Sequence, residues 1–274
     1  MREHPHGAAQ WLDATVTDDS HRLTRQVAPS SAANEPASEP RVPPTLWSAP
    51  GIVSSRSYRR GVPIDVRPLV SPATTALLLN EVQPSTVSGP GELNEAAATV
   101  LPNIVRLTEA ARDVDVQVVH CVKVFRRDSL GRNRNVLLYR RRGVMPGEPV
   151  APDSRPSPGS MVAPEVGPDE RDLVMTRLHG MGAVTDTGVV PVLRNIGVTT
   201  VVVVGVSLNI GIPNTVMDLV NHAFEVVVPR DAVAGTPQSY GEEMLEHTIK
   251  HLATVTTTDV LLDAWRLPEV AADR

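Results

Sequence analysis

The sequence predicts an α/β protein, a three-layer α/β/α arrangement on a Rossmann-like, mostly parallel sheet of about six strands. Two observations predict it. From residue 74 onward, short apolar runs alternate with helical segments, the rhythm of right-handed βαβ units. The runs are also nearly continuous in apolar residues, as strands covered on both faces are. The domain is assigned to residues 71–266, with 1–70 a disordered or extended tail and 267–274 a short C-terminal tail. The tail assignment rests on Pro29, Pro36, Pro40, Pro43, Pro44 and Pro50 in a stretch without hydrophobic period. Such a composition buries too little apolar surface to offset its ordering entropy. Pro63–Val66 and Pro68–Val70 are expected to dock along the domain edge.

The elements follow in order. Thr75 to Asn80 is the first strand, and Leu93 to Arg112 a helix with apolar Leu93, Ala97, Leu101, Ile104, Val105 and Ala111 at helical spacing. Pro102 is expected to kink it. Val116 to Val124 is the second strand, Arg171 to Thr176 the third, and Thr187 to Ile196 a helix. Thr199 to Val204 is β-branched throughout and forms the fourth strand. Pro213 to Ala223 is a helix with Pro in its first turn, Glu225 to Val228 a strand, Ser239 to Leu252 a helix, Thr254 to Thr256 a short strand, and Asp259 to Trp265 a closing helix. One long connection, from Phe125 to about Asp169, breaks the rhythm with seven arginines in its first half (126, 127, 132, 134, 140, 141 and 142) and a Pro-, Gly- and Ser-rich second half. It reads either as a solvated flap or oligomer contact, or as a lid whose arginines attract an anionic substrate.

Composition removes several functions. Aromatic residues make up only 3% of the chain, so the core must be built from Val, Leu, Ile and Ala. A net charge of -5 gives no reason to expect a nucleic-acid partner. No apolar run approaches the roughly 18 to 20 residues of a membrane span. No apolar signal region is seen, and the stretch after Tyr58-Arg59-Arg60 is unlike a twin-arginine signal. Cys121 is the single cysteine, which excludes an intrachain disulfide. A cytoplasmic protein is expected.

In parallel sheets, ligands sit outside the carboxyl ends of the strands. The first strand ends Asn80-Glu81-Val82-Gln83, the third Thr176-Arg177-Leu178-His179-Gly180, and the fourth runs into Gly205-Val206-Ser207-Leu208-Asn209-Ile210-Gly211. An acid, a base and a small-residue turn would thus converge on one crevice. These segments, with Val227 to Ala234 after them, resemble the isochorismatase-like superfamily of nicotinamidases, carbamoylases and isochorismatases, over roughly residues 74 to 265. The family pattern is Asp-x-Gln, then Lys, then a Gly-Val-x-x-Asn-x-Cys turn.

The resemblance implies that Glu81 stands where the family has its Asp, Arg177 where it has its Lys, and Gly211 where the amidases have their nucleophilic Cys. Glycine cannot attack a carbonyl, so a covalent thioester at this position is excluded. Isochorismatases also lack the cysteine and split a vinyl ether. By that likeness the chain is a small-molecule hydrolase with Glu81 as acid/base and Arg177 as charge stabiliser or substrate anchor. A tight Arg177–Glu81 pair would oppose Glu81 as a general acid. The alternative is a catalytically inactive paralogue that binds a ligand. Polar walls around Glu81 and Arg177 would favour the enzyme, and a plug of Met181 or Leu208 the binder. The resemblance also implies a homo-oligomer, a cis peptide near Val206–Ser207, and an anion bound by N–H groups at the following helix start.

Gln83, His179, Val206, Ser207, Asn209 and Ile210 are the candidate substrate-binding residues. His179 has either a role as base or hydrogen-bond donor, or none. Ser207 lacks the Gly-x-Ser-x-Gly elbow of a nucleophile. Cys121 and His120 are neighbours on a strand and point to opposite faces, so they cannot pair. The segment after Glu81 offers Ser85, Thr86 and Ser88 but no histidine. No catalytic metal and no cofactor are expected.

Overall fold

The computed structural model describes residues 65–141 and 152–266; most of the proposed tail, Arg142 and the C-terminal tail lie outside them. Strand β1 (Thr75–Asn80) opens the sheet and is buried at every position. A single turn, α1 (Pro84–Val87), leads to α2 (Glu92–Asp113), and β2 (Gln117–Lys123) follows. Helix α3 (Leu137–Arg141) lies within the long connection. Then come β3 (Leu173–Arg177), α4 (Val189–Asn195), β4 (Thr200–Val206) and α5 (Gly211–Asn221). The chain closes with β5 (Glu225–Pro229), β6 (Val233–Ala234), α6 (Gln238–His247), β7 (Thr254–Thr256) and α7 (Thr258–Arg266).

The sheet order is β3-β2-β1-β4-β5-β7, with the two-residue β6 also paired to β4, and every pairing is parallel. The three-layer expectation therefore holds, with seven strands where about six were expected. One core layer joins Leu77, Leu79, Val118 and Val204 to α2 (Ile104, Leu107) and α7 (Leu261, Trp265). The other joins Leu78, Val119, Val201 and Val203 to α4 (Leu193), α5 (Ile212, Val216) and α6 (Leu245). Alternation along the strands assigns the side chains to these layers. Pro102 stands inside α2, where it leaves the Ala98 carbonyl without its usual donor, and both residues lie on the exposed side of the helix.

Several boundaries differ from expectation for local reasons. Strand β3 begins at Leu173, because Asp172 turns inward to Arg112 and His120. Helix α5 begins at Gly211, two residues before Pro213, which stays within its first turn. Helix α6 ends at His247 and continues as a 3-10 turn over Ile249–His251. Val66, Leu69 and Val70 are buried in the α2–α7 core layer, and Trp265 Nε1 donates to Val70 O at 3.1 Å. The segment expected along the domain edge thus packs into it.

The chain leaves the central β1 to build β2 and β3 on one side, then returns to place β4 on the other. The switch point lies between β1 and β4, and in such sheets ligands bind beyond the carboxyl ends of the strands at that point.

Candidate active site

Beyond the buried β1, Glu81 departs from strand geometry at φ 54, a left-handed conformation uncommon outside glycine. Its N–H still donates to Cys121 O at 2.9 Å, and Thr86 Oγ1 donates to its carbonyl. The carboxylate accepts a hydrogen bond from Arg177 Nη2. The Arg177 side chain is 2% exposed and that of Glu81 20%, so the pair forms a floor open to solvent on the Glu81 side. Arg177 Nε and Nη1 are buried with no hydrogen-bond partner among the described residues. Leaving charged donors unmade is costly, and these two mark a place where an acceptor would gain most.

Asn80 fills the floor beside Gly211. Its Nδ2 donates to Val206 O, and Thr215 Oγ1 donates to its Oδ1 at 3.4 Å. A Cβ at Gly211 would meet Asn80 Nδ2 at 2.8 Å and Val206 O at 3.1 Å. The space a side chain at 211 would need is therefore taken by the Asn80 amide. Gly205 is required more strictly: at φ 107 its Cβ would fall 2.3 Å from Asn80 O, because β1 and β4 pair here at Asn80 and Gly205.

Lys123, at the end of β2, is in register with Arg177 and is only 6% exposed. Its Nζ donates to the Tyr139 hydroxyl and lies 4.9 Å from the Tyr139 ring centre and 5.3 Å from that of Phe125. The Arg132 guanidinium shares these two rings at 4.8 and 4.2 Å. Burial pushes the Lys123 ammonium down to about 8, and Arg177 and Arg132 push the same way against Glu81. The long connection thus brings Arg132 and Tyr139 to the site. Arg126 pairs instead with Asp128, and Arg127 Nε donates to Pro156 O.

The expected substrate-binding residues divide. The Gln83 amide is committed to the main chain, donating to Lys123 O (3.0 Å) and Ser160 O (2.8 Å) and accepting from Lys123 N (2.8 Å). It holds the end of β2 against β1. Asn209 is likewise spent on Thr236, through Nδ2 to O at 2.6 Å and N to Oδ1 at 2.9 Å. Val206 is buried and offers its carbonyl to Asn80. Ser207 is half-buried at the turn, where its carbonyl accepts from Ile210 N and Ile212 N. Ile210 and His179 are exposed. The Val206–Ser207 peptide is cis, as expected at this turn. Pro213 has no N–H, and the N–H of Gly211 in the first turn of α5 has no intrahelical partner by position.

Leu208 packs under Gly235 and Gly241, away from Glu81. Met181 does reach the site, with Sδ 3.9 Å from Lys123 Nζ and 3.8 Å from the Tyr139 hydroxyl. Cys121 is 1% exposed, and burial pushes its thiol up to about 12, so it is no nucleophile. His120 points to the opposite layer, where its Nε2 meets Asp172 Oδ2 at 2.9 Å.

Sequence reasoning missed Asn80, Lys123 and Tyr139. Asn80 carried a signal as a polar residue closing an apolar run. Lys123 carried a stronger one, as one of only two lysines among 26 basic residues. Tyr139 carried none, because its position depends on how the long connection folds back.

The isochorismatase domain model matches residues 75–260. The chain belongs to the isochorismatase family. No curated protein matches it. Solved structures of the same fold include a cysteine hydrolase from Pseudomonas syringae pv. phaseolicola, with a TM-score of 0.63 and 22% identity over 72% of this chain and 95% of that one. An isochorismatase family protein from Burkholderia thailandensis gives 0.59 and 23% over 72% and 98%. A pyrazinamidase from Pyrococcus horikoshii, in complex with zinc, gives 0.54 and 20% over 67% and 98%.

The zinc of that last relative finds no matching donor set among the described residues of this isochorismatase-family chain. No three His, Cys, Asp or Glu side chains cluster to hold a metal among the described residues. The stretch after Glu81 offers only the capped turn α1, with Thr86 Oγ1 turned to main-chain carbonyls.

Proposed function

We propose that the protein is a small-molecule hydrolase that works without a covalent cysteine intermediate. Glu81 and Arg177 stand for the acid and the cation of the family pattern, and Gly211 for the missing nucleophile. The observation that carries this reading is the Glu81–Arg177 ion pair at the ends of β1 and β3, beside two guanidinium nitrogens with no hydrogen-bond partner among the described residues. Glu81 takes the acid/base role, here as the base that activates water, and Arg177 holds its carboxylate and anchors negative charge. Arg177, Lys123 and Arg132 around a single carboxylate favour an anionic substrate.

The reading extends to a cytoplasmic protein and to a homo-oligomer, and exposed Val174 and Leu178, on and beside the edge strand β3, support the association. No helix among the described residues is long and apolar enough to cross a membrane.

The test is hydrolysis of isochorismate, nicotinamide, N-carbamoyl compounds and simple esters by wild type beside Glu81→Gln. Wild-type turnover that falls at least about 100-fold in the folded variant supports the reading. A ligand-binding protein without activity is the second reading, favoured by Met181 against Lys123 and Tyr139. It is established by ligand-induced thermal shifts with no turnover above background.

A further inference from the structure

The chain uses arginine for nearly every positive charge; Lys123 and Lys250 are the two exceptions among 26. Lys250 is exposed and paired with Glu246 at 2.9 Å on the turn that follows α6. Lys123 is the reverse, buried at the carboxyl end of β2 with no ion pair among the described residues. The nearby carboxylate, Glu81, is bonded to Arg177. A buried and unpaired ammonium is expensive, and a lysine kept only for packing would ordinarily be paired or replaced.

Everything around Lys123 fixes it in place. Gln83 grips its main chain on both sides, accepting from N at 2.8 Å and donating to O at 3.0 Å. The Tyr139 hydroxyl takes one ammonium proton, and the Phe125 and Tyr139 rings flank the charge. In-register pairing of β2 with β3 puts Lys123 on the face it shares with Arg177. Arg177 cannot exchange a proton near neutral pH, because a guanidinium stays charged. Lys123 is the cation here that can.

Resting on the hydrolase reading above, we propose that Lys123 is the proton donor of the site, delivering to the leaving group the proton it takes up on departure. Glu81 removes a proton from water as the water oxygen bonds to the electrophilic carbon. The bond from that carbon to the departing oxygen or nitrogen breaks, and its electron pair takes a proton from the Lys123 ammonium. The proton on Glu81 then returns to the neutral amine, so one water is consumed and both groups are restored. Arg177 and Arg132 assist by crowding the ammonium with positive charge, which eases release of its proton.

The closing experiment uses the whole chain labelled with 13C at lysine Cε, which gives two signals, Lys250 serving as the exposed reference. Lys123→Met assigns them. Lys123 is expected to titrate near pH 8, and kcat/KM to fall above the same pH, because the donor must be protonated. Lys123→Arg keeps the charge but holds its proton. It is expected to lose at least about 100-fold in kcat with little change in KM, and to lose more with an alkoxide leaving group than with a nitrophenolate. A merely structural lysine would not show that leaving-group dependence. Should the arginine variant fail to fold, Tyr139→Phe is expected to move the NMR titration and the alkaline limb together.

Full activity in Lys123→Arg, a loss blind to the leaving group, or a Lys123 titration alongside Lys250 would each overturn the proposal and leave the hydrolase reading standing. Absence of wild-type turnover would instead end the hydrolase reading and this proposal with it.

Discussion

Gly211 shows how much one missing side chain depends on a neighbour. Its own backbone does not demand glycine, since its φ is not in the left-handed region. What demands it is the Asn80 amide, 2.8 Å from where a Cβ would stand and hydrogen-bonded to Val206 O. Alanine at a helix position gains at most about 1 kcal/mol over glycine, and less in the first turn. Overpacking against a fixed amide costs roughly 1–3 kcal/mol. Gly211→Ala is therefore expected to lower the thermal midpoint. Asn80→Ala should recover part of that loss in the double variant, a coupling that a double-mutant cycle reads directly. Independent, additive losses would show that Asn80 does not fill the space.

At the scale of elements, Asp172 ties α2, β2 and the approach to β3 together. Its carboxylate accepts from Arg112 Nη2 at 2.5 Å, from Asp169 N at 3.0 Å and from His120 Nε2 at 2.9 Å. A carboxylate can only accept, so His120 carries its proton on Nε2, and its buried Nδ1 has no partner among the described residues. Burial holds the His120 imidazolium below its usual range, more strongly than Asp172 raises it. For Asp172, burial acts upward, but the Arg112 and backbone hydrogen bonds bring the carboxyl below its ordinary value.

Both shifts have the same consequence for stability. The unfolded chain binds these protons first as pH falls, so stability drops below about pH 6.5 through His120 and again below about pH 4 through Asp172. Each contributes up to about 1.4 kcal/mol per pH unit within its window. Urea unfolding at pH 7 and pH 5 should show the His120 component, and His120→Gln should flatten it. Asp172→Ala, which strands Arg112 and His120, is expected to cost about 3 kcal/mol at pH 7. An unchanged pH slope in His120→Gln would exclude this account.

For the whole molecule, the open question is association. Strand β3 is a sheet edge whose outer N–H and C=O groups are unpaired within the sheet, and it exposes Val174, with Leu178 just beyond it. The homo-oligomer proposed above predicts a light-scattering mass that is a multiple of the 29.4 kDa chain. Val174→Lys should shift it toward monomer if the edge is the contact. A wild-type monomer at micromolar concentration would sink the oligomer, and an unaffected oligomer in Val174→Lys would move the contact elsewhere.

The sequence by itself determined the α/β class, the parallel strands and the strand ends that carry the candidate site. Those features rest on local periodicity: β1 has the expected bounds because its apolar run stops at Asn80 and Glu81. Periodicity also placed Glu81 and Arg177 at strand termini, but it was the family resemblance that singled them out as candidates. Only the tertiary structure decided which polar groups were already spent. Gln83 and Asn209 look like site residues in one dimension, but their amides are taken by Lys123, Ser160 and Thr236, distant in sequence. Tyr139 and Arg132 reach Lys123 from within the long connection, whose first residues pair with its later part, Ser157 N donating to Phe125 O and Arg127 N to Arg155 O. Hydrogen-bond satisfaction and burial are properties of side chains brought together from afar, and no local pattern encodes them.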